Sequence, residues 1–188
     1  MKLTGRIILF TLILVALTTA CKFFFGADLA WSGFSPVIAI ALFSGMIIRE
    51  KNMTFLLPLV ALFLSDLAIQ GLHTAGLFPY AGFYQGQWVN YLLLLSATLV
   101  GWVLRGRSYA GLFAGAVVAP TLYFLVSNLM VWQGSDVTYS NDFNGLLTCY
   151  AAALPFYKNS LLGTLVFLPV ILLVYNVIAK HRTALTLA

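Results

Sequence analysis

Six apolar runs divide the chain, at about residues 6–25, 35–48, 54–71, 87–104, 109–132 and 160–179, with polar or charged residues between them. An α-helix rises about 1.5 Å per residue, so roughly 20 residues cross the ~30 Å hydrocarbon core of a bilayer. The run at 35–48 is short for that task and calls for little tilt or a deeper start. The expected fold class is therefore all-α: one polytopic membrane domain over residues 1–188, a six-transmembrane-helix bundle. Only 8% of residues are charged, against about 25% in soluble chains, which excludes an ordinary soluble domain.

Boundary residues fit these runs. Ser35-Pro36 reads as a helix cap followed by proline in the first turn. Asn52 or Thr54 is expected to cap the third helix, Ser108 the fifth, and Asn159 or Ser160 the sixth. Pro58, Pro120 and Pro169 fall inside runs, where each is expected to kink its helix.

Charge placement sets the orientation. With six crossings, Lys2, Arg6, Arg49, Lys51, Arg105, Arg107, Lys180 and Arg182 gather on one side, leaving only Lys22 and Lys158 on the other. Basic residues favour the cytoplasmic side, so both termini are expected to be cytoplasmic. The net charge of +5 then needs no nucleic-acid partner. The N-terminal run ends Leu17-Thr18-Thr19-Ala20-Cys21, which also suggests a lipoprotein cleavage site. Thr18 stands where such a site takes an aliphatic residue, so an uncleaved first helix is expected.

Ala16 and Ala20, Ala41 and Gly45, and Gly111 and Gly115 are each spaced four apart, which lets helix backbones approach closely. Internal packing explains such pairs; on the first helix, Ala16 and Ala20 also suit a partner-binding face.

Asp66 is the most unusual single residue, an acid in the outer part of the third apolar run. Such a group costs several kcal/mol unless it faces the bundle interior, a partner or water. Gln70 and His73 follow on the same helical face, unless Gly71 ends the helix first. Three readings are open: a structural acid satisfied by nearby donors, a wall of a substrate pocket, or a proton-coupling carboxylate with His73 as relay. Residues 71–87, rich in glycine and aromatics, suit an interfacial belt or a lid.

Residues 121–160 hold most of the remaining polar groups. Asn128 and Trp132 share a face near the outer end of the fifth helix, and residues 134–144 form a turn-rich external loop. Residues 146–156 are apolar but too few to span, about 17 Å as helix. They are expected to form an interfacial or re-entrant piece stopped by Pro155. Cys149 is open to three readings: a buried small residue, a disulfide partner for Cys21, or a ligand to a metal or corrinoid cobalt. The whole stretch is expected to form an outer lid or pocket wall close to Asp66 and residues 71–87. No phosphate loop, His-Glu-x-x-His, Gly-x-Ser-x-Gly or Cys-x-x-Cys occurs, so no enzyme is expected, nor a cofactor or bound metal.

Phe34-Ser35-Pro36-Val37-Ile38-Ala39-Ile40-Ala41-Leu42-Phe43-Ser44-Gly45 and Leu57-Pro58-Leu59 through Leu64-Ser65-Asp66-Leu67 resemble an uncharacterised bacterial family of six-span membrane proteins. Ser127-Asn128-Leu129-Met130-Val131-Trp132, Gly145-Leu146-Leu147-Thr148-Cys149-Tyr150 and Leu154-Pro155-Phe156-Tyr157-Lys158-Asn159-Ser160 extend the likeness over roughly residues 33–170. That family looks like the substrate-binding S components of energy-coupling-factor (ECF) vitamin transporters. The resemblance implies a multi-pass protein of the bacterial inner membrane that captures a small organic nutrient, a vitamin or precursor, in an outer pocket. It implies partners: a transmembrane coupling subunit met by Ala16 and Ala20, and ATPases. The chain begins Met1-Lys2-Leu3, without the histidine that opens cobalt- and nickel-type members, so metal uptake is not expected. On this reading Asp66, Asn128, Trp132, Tyr139, Asn144 and Tyr150 orient and stack the substrate, with His73 alongside. A stand-alone proton-coupled transporter using Asp66 and a non-transporting scaffold are the alternatives.

Overall fold

A computed structural model describes residues 3–105, 109–134 and 138–179. Lys2, Arg107, Ser108, Lys180 and Arg182, which entered the cap and charge expectations, lie outside the described residues. Among the described residues six α-helices follow in order: α1 Leu3–Phe25, α2 Val37–Ile47, α3 Lys51–Thr74, α4 Gln87–Val103, α5 Tyr109–Gln133 and α6 Phe143–Ala179. A 3-10 turn, Leu29–Trp31, joins α1 to α2. No strand occurs among the described residues.

Four of these helices, α1, α3, α5 and α6, are long and apolar enough to cross a bilayer, whereas α2 and α4 are shorter apolar helices. With 11 residues, α2 rises about 16 Å, half the hydrocarbon thickness. It is the centre of the bundle. Every residue from Ile38 to Met46 is buried, and α2 packs against α3, α4, α5 and α6. A helix apolar on all sides belongs inside other protein.

The tightest approach is between α2 and α4. A Cβ on Gly45 would lie 2.2 Å from the Thr98 carbonyl oxygen, and one on Gly101 2.3 Å from the Leu42 carbonyl oxygen. Backbone therefore touches backbone, as the Ala41/Gly45 spacing suggested. Gly115 on α5 faces the Leu42 and Leu104 side chains. Ala16 and Ala20, by contrast, lie on the exposed face of α1, opposite buried Leu14 and Thr18.

Consecutive helices run in opposite directions between two polar ends. At one end Arg105 donates from Nε to the Gly45 carbonyl (3.1 Å) and from Nη2 to the Ile48 carbonyl and Thr54 Oγ1. A guanidinium thus holds the orphan carbonyls at the end of α2, where the helix dipole favours a cation. Thr54 is buried there, donating to the Ile48 and Glu50 carbonyls, rather than capping α3. The α3 cap is Glu50, whose carboxylate accepts from Asn52 N–H and Met53 N–H. Ser35 does accept from Val37 N–H at 3.4 Å.

The sixth helix departs most from expectation. It starts at Phe143, not near residue 160, and its 37 residues extend about 55 Å. Residues 146–156 are its outer turns and no separate re-entrant piece. Pro155 removes one backbone bond, yet side chains on both sides of it fix α6 against α5. Cys149 Sγ–H and Tyr150 O–H donate to the Asn128 and Leu125 carbonyls, at 3.5 and 2.7 Å. Beyond the proline, Tyr157 O–H pairs with Thr121 Oγ1 at 2.8 Å and its ring packs at a tilt against Phe124, centroids 4.8 Å apart. These contacts offset the ~3 kcal/mol a proline costs inside a helix. Asn159, expected as a cap, sits in mid-helix and donates to the Ala30 and Ser32 carbonyls, at 2.8 and 2.9 Å.

The cap of α6 is Asp142. Its Oδ1 accepts from Gly145 N–H at 2.7 Å and Ser140 O–H at 2.8 Å, and these bonds, the first above all, hold the carboxyl below the usual carboxylate range. A group with a depressed folded pKa stabilises above its unfolded pKa, about 3.9 for Asp, and loses that contribution as pH falls through the folded value. The melting-temperature gap between wild type and Asp142→Ala is therefore expected to hold constant from pH 7 to about 5 and to close below about pH 4. A gap unchanged at lower pH would remove the ionised carboxylate from the cap.

Candidate functional site

At the end opposite Arg105, the buried face of α1 runs through Phe10, Leu14 and Thr18, and the next residue at that spacing is Lys22. Its stem follows the bundle interior and its ammonium reaches α3. There Lys22 Nζ donates to Asp66 Oδ1 and, at 2.8 Å, to Ser65 Oγ. Asp66 is buried inside a helix otherwise suited to hydrocarbon, its side chain 5% exposed against 20% for Lys22.

Helix α4 supplies the rest. Gln87, Tyr91, Leu94 and Thr98 continue one face of α4, and its two outermost members turn to the carboxylate. Gln87 Nε2–H and Tyr91 O–H both donate to Asp66 Oδ2, the latter at 2.6 Å. One oxygen thus takes the cation and the other takes two neutral donors. Charge and lone pairs are satisfied together, which a buried carboxylate requires.

The loop between α3 and α4, residues 75–86, closes over this network. A Cβ on Gly82 would lie 1.9 Å from the Asp66 carbonyl oxygen, so only a glycine lets the loop backbone rest on α3 there. Phe83 N–H donates to Gln70 Oε1, and Tyr84 N–H donates to Gln87 Oε1, each at 3.2 Å. Tyr80 O–H reaches the Lys22 carbonyl at 3.4 Å. From Tyr84 the network continues sideways: Asn90 Nδ2–H donates to Tyr84 Oη, and Tyr123 O–H of α5 donates to Asn90 Oδ1 at 3.0 Å.

Of the residues expected in a site, only Asp66 sits in this network. His73 bonds elsewhere: α3 continues through Gly71 to Thr74, and His73 Nδ1–H donates to the Phe78 carbonyl at 3.0 Å. Asn128, Trp132 and Tyr150 bond within the α5–α6 hairpin. Asn128 Nδ2–H donates to the Phe124 carbonyl and Trp132 Nε1–H to the Ser140 carbonyl. Tyr139 is half-buried and Asn144 exposed in the same hairpin. Among the described residues of 121–160, Tyr123 alone bonds into the Asp66 network. Cys21 and Cys149 are both free and buried, which sets aside a disulfide between them.

Sequence reasoning passed over Lys22, Gln87, Tyr91, Asn90 and Tyr84. A signal existed for three of these. Lys22 continues the Phe10, Leu14, Thr18 face, and Gln87 and Tyr91 continue the Leu94, Thr98 face. A polar residue in phase with a buried stripe points inward.

Helix lengths and apolar composition place the protein in the class of helical membrane proteins. The chain belongs to DUF6580, a family of unknown function, which it matches over residues 2–185. No curated protein and no solved structure matches it.

Proposed function

We propose that this chain is a transport subunit of the bacterial inner membrane, similar to S components of ECF transporters, that takes up a small organic nutrient from the outside. It would cross the membrane six times with both termini cytoplasmic, the short α2 enclosed by the other helices. The grouping of Arg49, Lys51 and Arg105 at the end away from Lys22 supports that orientation.

The observation that carries the reading is the Lys22–Asp66 pair beneath the 75–86 loop. Burying two charges among membrane helices costs several kcal/mol, and apolar packing would join the same helices at no such cost. Retaining the pair suits a contact that must break and reform. It links the loop to α1 through Tyr80, Gln87 and Lys22. Movement of the loop over an arriving substrate would therefore be felt by α1, whose exposed Ala16 and Ala20 suit a coupling subunit. On the α5–α6 hairpin, Asn128, Trp132, Tyr139, Asn144 and Tyr150 would form a second wall, joined to the Asp66 network through Tyr123, and partner ATPases would supply the energy.

Purification from the native membrane is expected to bring down ATPases of the energy-coupling type, and a vitamin or precursor is expected to raise the melting temperature. Recovery of no ATPase, with no shift from any vitamin class, would reject the reading. The scaffold alternative draws on one observation, that every polar atom of Asp66 already has a partner. It predicts co-purification with a non-ATPase protein. For a proton-coupled carrier, Asp66→Asn would abolish pH-driven uptake into liposomes.

A further inference from the structure

Beside the ion pair, on the outer surface of the bundle, α3 and α4 leave a groove of about 520 Å³. Val60 and Phe63 line one side, with Trp88, Tyr91, Leu92 and Leu95 on the other. We propose that this groove holds one hydrocarbon chain of a membrane lipid from the leaflet on the Lys22–Asp66 side. The inference rests on the membrane character of the helices and not on the transport reading.

Three observations select that occupant. The groove opens sideways, because Phe63, Trp88 and Leu92 are 49%, 63% and 54% exposed, on helices whose outward faces are apolar. Entry is from the bilayer. Next, the lining offers a ligand no charge, and the Tyr91 hydroxyl is already committed to Asp66. A nutrient with polar groups would leave them unpaired, which costs more than the apolar contact returns. Third, the groove has a polar end and an apolar end. Trp88 follows Gln87 at the depth of the ion pair, where tryptophan suits the headgroup boundary, and Phe83 of the loop packs on Phe63, ring centroids 5.7 Å apart. From Trp88 to Leu95 the groove descends about 10 Å along α4, away from the loop.

The chain would have a physical consequence. Tyr91 forms the wall between the groove and Asp66. A hydrocarbon chain against its ring keeps the setting of the pair apolar on that side.

The test uses the whole 188-residue chain, which contains four tryptophans, namely Trp31, Trp88, Trp102 and Trp132. Replacing three of them by phenylalanine leaves Trp88 alone, and a matching variant leaves Trp102 alone at the far end of α4. Each is delipidated in detergent and titrated with phosphatidylglycerol brominated on one chain. Trp88 fluorescence is expected to fall and to saturate near one lipid per protein, while Trp102 follows only the lipid-to-detergent ratio. Adding Val60→Phe, which fills the groove, is expected to remove the saturation. Equal behaviour of Trp88 and Trp102 overturns the proposal, as does saturation untouched by Val60→Phe. If the Val60→Phe protein does not fold, the comparison of Trp88 with Trp102 decides alone.

Discussion

Lys22→Met is expected to lower stability by about 3 kcal/mol, the low end of the range for removing one partner of a buried ion pair. The low end applies because Gln87 and Tyr91 still donate to the stranded Asp66 carboxylate. For a chain of this size the melting temperature should drop by on the order of 10 °C. Asp66→Asn should cost less, since the Lys22 side chain is 20% exposed and its flexible stem can carry the ammonium outward. The double variant Lys22→Met/Asp66→Asn is expected to be more stable than Lys22→Met alone, because no unpaired charge remains inside. Thermal unfolding of the four proteins in one detergent gives the coupling directly. If the double variant loses as much as the sum of the single ones, the two side chains are not paired in the folded protein.

The contact between α2 and α4 should be equally sensitive, for a steric reason. Gly45→Ala places a Cβ 2.2 Å from the Thr98 carbonyl oxygen and 2.6 Å from Trp102 N. Neither is a flexible side-chain end, so the helices must part. A loss of about 3 kcal/mol is expected, the top of the usual overpacking range, and Gly45→Val should prevent recovery of monodisperse protein. Gly71→Ala is the comparison. Nothing lies within 4 Å of a Cβ at Gly71, and alanine in a helix interior is favoured over glycine by up to about 1 kcal/mol. Size-exclusion profiles and melting curves of the two alanine variants should move in opposite directions. If Gly45→Ala were neutral, the close α2–α4 approach would be refuted.

Particular residues show where the sequence could be read and where it could not. The bounds of α4 and α5 follow from where apolar residues stop, and expectation and structure agree within a residue or two. Glu50 was legible in principle as a cap, since acids suit a first turn, but Asn52 and Thr54 compete on composition alone. Pro155 misled for a clear reason: the local rule that proline ends a helix holds until tertiary contacts outweigh it. Those contacts come from Thr121, Phe124, Leu125 and Asn128, all on another helix. Nor does the structure bring Asn128, Trp132, Tyr139, Asn144 and Tyr150 into the Asp66 network; they lie within the α5–α6 hairpin. Their shared outer level is a matter of hydropathy, whereas their direction depends on how α5 is rotated.

By itself the sequence determined the class of protein, the positions of most helices and the uneven distribution of basic residues. Each of these follows from how single residues partition between water and hydrocarbon, which needs no partner. The tertiary structure alone decided that the short α2 lies at the centre, that α6 continues through Pro155, and that Lys22 meets Asp66 across 44 residues of chain. These depend on helix rotation and crossing, set jointly by Gly45, Gly101 and Gly82, where a single Cβ would separate backbones. Hydropathy fixes which residues lie at a given depth; only packing fixes which of them face one another.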